Sequence, residues 1–151
     1  MKLQVARFVG LLLTALTLAP GLAHLLEMPH KLLLSRTEYL TVQQIYRGWA
    51  LLGIVVIGAL VSLLILTLMT RGLRTVFPLT LTALLCIAAT QAVFWTFTFP
   101  ANQETRNWTV PPEHWMALRA QWEYSHAASA VLSLIALGAL ILSVLVNDER
   151  R

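Results

Sequence analysis

Three long apolar segments without a charged residue constrain this chain more than any other feature: Trp49 to Met69, Thr75 to Gln103 and Ala127 to Asn147. About 20 such residues cross ~30 Å of hydrocarbon as a helix. A fourth segment, Phe8 to Leu26, is also uncharged. Only 12% of the residues are charged, against about 25% in soluble domains. The sequence therefore predicts an all-α integral membrane protein.

We expect one four-helix bundle of up-down-up-down topology that occupies residues 1–151 as a single membrane domain. Pro29 should end the first helix or turn it, because proline lacks the N–H group and disfavours helix at the preceding residue. The last helix is long enough, at 1.5 Å per residue, to extend beyond the membrane. The predicted helices cover about residues 5–28, 42–69, 76–98 and 112–146.

The formal net charge of +4 does not indicate a nucleic-acid-binding protein, because the charges follow the predicted topology. Lysine and arginine are enriched in cytoplasmic loops of membrane proteins, and the very short turn Arg71 to Arg74 suits that side. We therefore expect both termini in the cytoplasm. Alternatively, Gly21-Leu22-Ala23 resembles a signal-peptide cleavage site, which would leave His24 as the N-terminus.

Two Glu-x-x-His motifs lie at the ends of apolar segments, Glu27 with His30 and Glu123 with His126. This spacing puts both side chains of each motif on one helix face. Di-iron carboxylate proteins use the same motif on two helices of a bundle. Glu27, His30, Glu123 and His126 are thus candidate ligands for iron, manganese or zinc. Helices 2 and 3 lack the further carboxylates that a full di-iron site needs.

Haem is a second cofactor hypothesis. His24 and His126 would be its axial ligands from two different helices. Trp95, Trp115 and Trp122 would line the haem pocket. Both cofactor hypotheses place the site at the end of the bundle where all four histidines lie.

A site without a cofactor is the third possibility. His126 would act as the base, held by Glu123, since histidine titrates near neutral pH. Arg119 would stabilise an oxyanion, and His24 and Glu27 would complete the site from helix 1. The candidate substrate-binding residues are Trp122, Gln43, Tyr46, Arg47 and Asn102.

The same charges also fit a structural network. Arg119 and Glu123 are four residues apart on one helix and are expected to pair, while Glu27 would pair with Arg47 or Arg119. On this alternative the protein is not an enzyme, and its polar cluster binds a lipid or a partner subunit.

Four segments of the chain resemble a family of small bacterial four-helix membrane proteins of unknown function: Ala23 to Lys31, Val42 to Trp49, Trp95 to Asn102 and Trp115 to His126. That family is similar to the fungal anthrone oxygenases, which oxidise an anthrone to an anthraquinone with O₂ and are thought to need no cofactor. The commonest family marks would be Pro100, Asn102, Arg119 and His126. The resemblance implies an oxygenase-like or redox enzyme for a hydrophobic, aromatic or quinone-like molecule.

Overall fold

A computed structural model of the chain describes residues 1–146. Within this range the fold is all-α. Besides the α-helices it contains 3₁₀ turns at Gln44–Tyr46 and Trp49–Leu51 and a π-helical turn at Phe94–Thr98. The α-helices are α1 (Lys2–Lys31), α2 (Arg36–Gln43), α3 (Leu52–Thr70), α4 (Val76–Val93), α5 (Phe99–Glu104) and α6 (Trp115–Leu145).

Four helical segments in residues 1–146 are long and apolar enough to cross a membrane. Helix α1 is the first of them and α6 is the fourth. A 3₁₀ turn continues into α3 to give the second, Trp49–Thr70, and α4 joins α5 through the π-helical turn to give the third, Val76–Glu104. The predicted all-α fold with four membrane-length helices is confirmed.

The four long helices pack in a ring, α1 against α3 and α6, and α4 against α3 and α6. Small side chains at the contacts let the helix backbones approach closely, as is usual in membrane bundles. At the closest approach, a Cβ on Gly21 would lie 3.4 Å from the Cα of Ala130. The central core is formed by Ala59, Leu63, Leu66, Ala83, Ile87, Ala136, Ala139 and Leu140.

Helix α1 contains both Pro20 and Pro29 and continues to Lys31, past the predicted end near residue 28. Backbone carbonyls at a helix C-terminus need hydrogen-bond partners from outside the helix. Here the Arg119 guanidinium, on α6, donates to the carbonyl of Lys31 at 3.4 Å and to that of Leu34 at 2.8 Å. This contact stabilises the extra turn after the proline.

The second membrane-length segment begins at Trp49 rather than near residue 42. Gly48 has a φ of +87°, a left-handed conformation that glycine adopts without steric cost. It separates the short helix α2 from the segment that follows. Ser35 and Glu38 form a capping box at the start of α2, which fixes α2 as an element of its own.

The third segment runs on to Glu104, past the predicted end near residue 98. Pro100 clashes with the carbonyl of the preceding turn in a regular helix. The π-helical turn Phe94–Thr98 widens the helix just before it, and the Gln121 side-chain amide donates to the Phe97 carbonyl at 2.8 Å. Helix α6 begins at Trp115, three residues later than predicted.

Candidate functional site

Lys31 is the centre of a buried polar cluster at the end of α1, although its side chain carries a charge. The residue is only 3% exposed, and its Nζ lies 3.0 Å from Glu123 Oε1 and 3.6 Å from Glu27 Oε2. The same Nζ lies 3.3 Å from the Tyr46 hydroxyl and 3.4 Å from His24 Nδ1. Buried charges in proteins are usually paired in this way.

Aromatic rings complete the surroundings of this ammonium group. Lys31 Nζ lies 5.0 Å from the ring centre of Tyr46 and 4.9 Å from that of Trp122. Both distances are within the range of a cation–π interaction. The two rings, together with the polar partners of Nζ, explain why Lys31 turns into the bundle instead of extending along the helix end towards water.

Each carboxylate beside Lys31 also accepts a hydrogen bond from a tyrosine. The Tyr46 hydroxyl donates to Glu27 Oε2 at 2.5 Å, and the Tyr39 hydroxyl donates to Glu123 Oε1 at 2.9 Å. Burial, and then the negative charge of Glu123, raise the pKa of Tyr39. Burial and the hydrogen bond to Glu27 raise the pKa of Tyr46. We call Lys31, His24, Glu27, Tyr39, Tyr46 and Glu123 the lysine cluster.

The two histidines expected to share a site are in direct contact. The rings of His24 and His126 have centres 4.4 Å apart, and Trp122 packs on both, at 4.9 Å from His24 and 4.1 Å from His126. Trp122 is held in place because its Nε1 donates to Asn102 Oδ1 at 2.8 Å. The structure thus brings His24, His126, Trp122 and Asn102 together beside Lys31.

Arg119 does not pair with Glu123, contrary to the prediction from their spacing. Lys31 occupies that place beside Glu123. The Arg119 guanidinium instead donates to the carbonyls of Lys31, the last residue of α1, and of Leu34 in the turn that follows, and it lies 4.7 Å from the Trp115 ring centre. These backbone carbonyls are strong hydrogen-bond acceptors for Arg119. The expected i, i+4 pair of Arg119 and Glu123 on α6 therefore does not form.

Arg47 and Gln43, two further predicted site residues, differ in burial. Arg47 is exposed and makes no ion pair with Glu27. Gln43 is buried, and its side chain interacts with Tyr39. Helix α2 ends at Gln43 and the chain turns at Gly48, so the i, i+4 relation of the two residues is not kept.

Two grooves flank α2. The first, of about 310 Å³, has mainly apolar walls, and we call it the apolar groove. The second, of about 700 Å³, is open and contains two arginines, and we call it the arginine groove. The apolar groove is lined by Leu26, Glu27, His30, Lys31, Leu34, Val42 and Ile45, and the arginine groove by Arg36, Thr37, Leu40, Thr41, Gln44, Arg47, Trp108, Thr109 and Pro111.

The four predicted metal ligands do not converge on one point. Glu27 and Glu123 both lie against the Lys31 ammonium group, while His30 lines the apolar groove and His126 packs against His24. In residues 1–146, no three His, Cys, Asp or Glu side chains are placed to hold a metal ion together.

The arrangement does not fit the haem hypothesis. The contact between the rings of His24 and His126 leaves no space for a macrocycle between two axial ligands. Trp95, which was expected to line that pocket, is 60% exposed and packs against Phe94 and Phe99.

Lys31 and Tyr39 are the members of the lysine cluster that the sequence analysis missed as site residues. The i, i+4 spacing of Glu27 and Lys31 was a usable signal for the lysine. No short-range pattern links Tyr39 to Glu123, because 84 residues separate them.

Fold and site together define an all-α protein with four helices of membrane length and a buried, paired lysine at one end of the bundle. Comparison of the chain with protein-family models, with curated proteins and with solved structures finds no match. The resemblance to the anthrone oxygenases therefore depends on the sequence motifs alone.

Proposed function

We propose that this protein is a membrane-embedded enzyme that binds a hydrophobic aromatic or quinone-like molecule in the apolar groove and removes a proton from it before its oxidation. The observation that carries the proposal is the Tyr46 phenol, which is held between the Glu27 carboxylate and the Lys31 ammonium group at the edge of this groove. A phenolic ligand offers the same hydroxyl to the same pair of groups.

The groove suits such a ligand in shape and polarity. Its walls are mainly leucine, valine and isoleucine, with Glu27, His30 and Lys31 on one side, and ligand sites commonly combine apolar walls with a few polar groups. The Glu27 side chain is 42% exposed, so it has room to accept a second hydroxyl besides that of Tyr46.

His30 is the base that the geometry favours. It lines the groove three residues after Glu27, whereas His126 lines neither groove. An imidazole serves as a general base near neutral pH. Lys31, rather than the Arg119 expected from the sequence, lies where a cation would stabilise the negative charge on the deprotonated ligand.

Oxidation follows from the removal of the proton. For an anthrone, deprotonation at the reactive CH₂ gives an electron-rich enolate. One atom of O₂ is added to that carbon and the other leaves in water, so that the CH₂ group becomes the second carbonyl of the quinone. In this scheme the chain binds the anthrone, moves its proton and holds the enolate, with no metal or haem required. The protein would lie in a bacterial inner membrane with both termini in the cytoplasm, the groove then opening near the outer face.

The test uses the full chain in lipid nanodiscs with anthrone as the substrate, following O₂ consumption and the absorbance of anthraquinone. We expect protein-dependent turnover that falls at least tenfold in His30→Gln and in Glu27→Gln. Glu104 and His114 supply matched controls, because they form an exposed Glu–His pair at 2.6 Å outside the groove. Turnover equal in all four variants, or absent from the wild type, would contradict the proposal.

A second candidate function is supported by the contacts of Lys31. Its side chain is largely buried and is paired with carboxylate and hydroxyl groups of the protein itself, as in a network that holds helices together. On this account the cluster anchors α1 to α2 and α6, and the grooves bind a lipid or a partner subunit. The two functions differ in whether the protein binds an aromatic alcohol such as alpha-naphthol as its anion.

A further inference from the structure

We propose that the arginine groove is a binding site for the phosphate group of an anionic phospholipid. This groove lies on the side of α2 away from the apolar groove, so the inference does not depend on the proposed enzymatic function. None of its nine lining residues is acidic, and two are arginines. Arginine is well suited to phosphate, because its planar guanidinium donates two parallel hydrogen bonds.

The two arginines differ in how they are held. Arg36 donates one hydrogen bond to the Pro111 carbonyl at 2.7 Å, which fixes its guanidinium over the groove and leaves further N–H groups to donate. Arg47 is exposed and has no ion pair in residues 1–146. Arg36 thus gives a pre-positioned donor, and Arg47 gives a free one that is available to a ligand.

Neighbouring groups do not neutralise this charge. Glu38 is the closest acidic residue along α2, and both hydrogen bonds of its Oε2 come from Ser35, at 2.6 and 2.9 Å. These bonds lower the pKa of Glu38 and direct its carboxylate to the start of the helix. The hydroxyls of Thr41 and Thr109 donate to backbone carbonyls, so neither is free to donate to an anion. The two arginines are therefore the proposed hydrogen-bond donors to the phosphate.

The position of the groove favours a lipid over a free anion. Its walls come from α2 and from the loop between the third and fourth membrane-length segments, so it lies at one end of the bundle, where head groups meet the protein. Val110, between the lining residues Thr109 and Pro111, is 50% exposed. Its side chain offers apolar contact to an acyl chain.

The test measures how much phosphatidylglycerol the protein retains when it is purified from nanodiscs of phosphatidylcholine and phosphatidylglycerol. Arg47→Gln should weaken retention about fivefold, since a basic residue near a membrane surface contributes roughly that factor. Arg36→Gln should weaken it as well, and the double variant more than either. Arg71→Gln and Arg74→Gln are the matched controls, because they remove the same charge from the turn at the opposite end of the bundle.

Two outcomes overturn the proposal. Equal losses in the Arg47 and Arg74 variants would show only a general attraction to anionic membranes. Displacement of the lipid by millimolar glycerol phosphate or inorganic phosphate would show that the groove binds a soluble anion. Retention that depends on Arg36 and Arg47, and that resists both competitors, supports a phospholipid site. Circular dichroism of each variant separates loss of binding from loss of fold.

Discussion

Replacing Lys31 by methionine tests the lysine cluster as a structural unit. The substitution keeps most of the side-chain volume and removes the positive charge. Glu123 then loses its only salt-bridge partner in residues 1–146, while its side chain remains fully buried. The Tyr39 hydroxyl still donates to Glu123, but a neutral phenol does not balance the charge of a carboxylate.

The expected cost follows from this burial. Removing one partner of a buried ion pair typically destabilises a protein by about 3–5 kcal/mol, because the other charge is left uncompensated. Exposed pairs contribute only about 0–1 kcal/mol. Glu104 and His114 are such a pair, with side chains 46% and 58% exposed. His114→Gln should therefore cost at least 2 kcal/mol less than Lys31→Met, by the difference between these two ranges.

The assay is equilibrium unfolding of the purified protein by sodium dodecyl sulfate in mixed micelles, monitored by tryptophan fluorescence. The double variant Lys31→Met with Glu123→Gln should recover part of the loss, because the buried carboxylate is then gone. A Lys31→Met cost below 1 kcal/mol, the upper range of an exposed pair, would refute the burial argument. So would a double variant that is simply the sum of the two single ones.

Three further predictions concern the parts of the fold that position the cluster. Tyr39 and Tyr46 have a pKa raised above the unfolded value of about 10, so their stabilising contribution is complete below that pH and is lost as the pH rises towards their folded values. Phenolate absorbance should consequently lag behind that of the unfolded protein above about pH 10, and Tyr39→Phe with Tyr46→Phe should abolish the lag. Gly48→Ala should lower the free energy of unfolding by about 1–2 kcal/mol, because alanine is strained at positive φ, and no loss would contradict this. Gly21→Leu should destabilise more than Gly53→Leu, measured by the same unfolding assay, since a side chain at Gly21 meets the backbone of Ala130 and one at Gly53 meets nothing within 4 Å.

The all-α fold with four membrane-length helices was predictable because it depends on apolar length, which is a local property of the sequence. Helix ends were less predictable. Helix α1 continues past Pro29 to Lys31, and Arg119, far away on α6, donates to the carbonyls of Lys31 and Leu34 there. Likewise, the third segment passes Pro100 through a π-helical turn that no residue pattern announces.

The site residues likewise divide into those that the sequence indicates and those whose partners depend on tertiary packing. His24, Glu27, Glu123 and His126 were recognised because charged and imidazole groups are conspicuous in apolar helices. Their partners depend on how the helices pack. Lys31 displaced Arg119 as the partner of Glu123 because it points into the bundle from α1, and local spacing favoured the wrong pair. The roles of His30, Glu27 and Lys31 in catalysis stay predictions.

The absorption spectrum of alpha-naphthol bound to the protein tests the central claim most directly, because naphthol and its anion absorb at different wavelengths. At neutral pH, we expect the wild type in nanodiscs to bind naphthol and to show the spectrum of the anion. In His30→Gln, which lacks the proposed base, the bound ligand should show the neutral spectrum, while Glu104→Gln should match the wild type. Naphthol that binds only in its neutral form to every variant, or that does not bind, would contradict the account and leave the lysine cluster as a structural network.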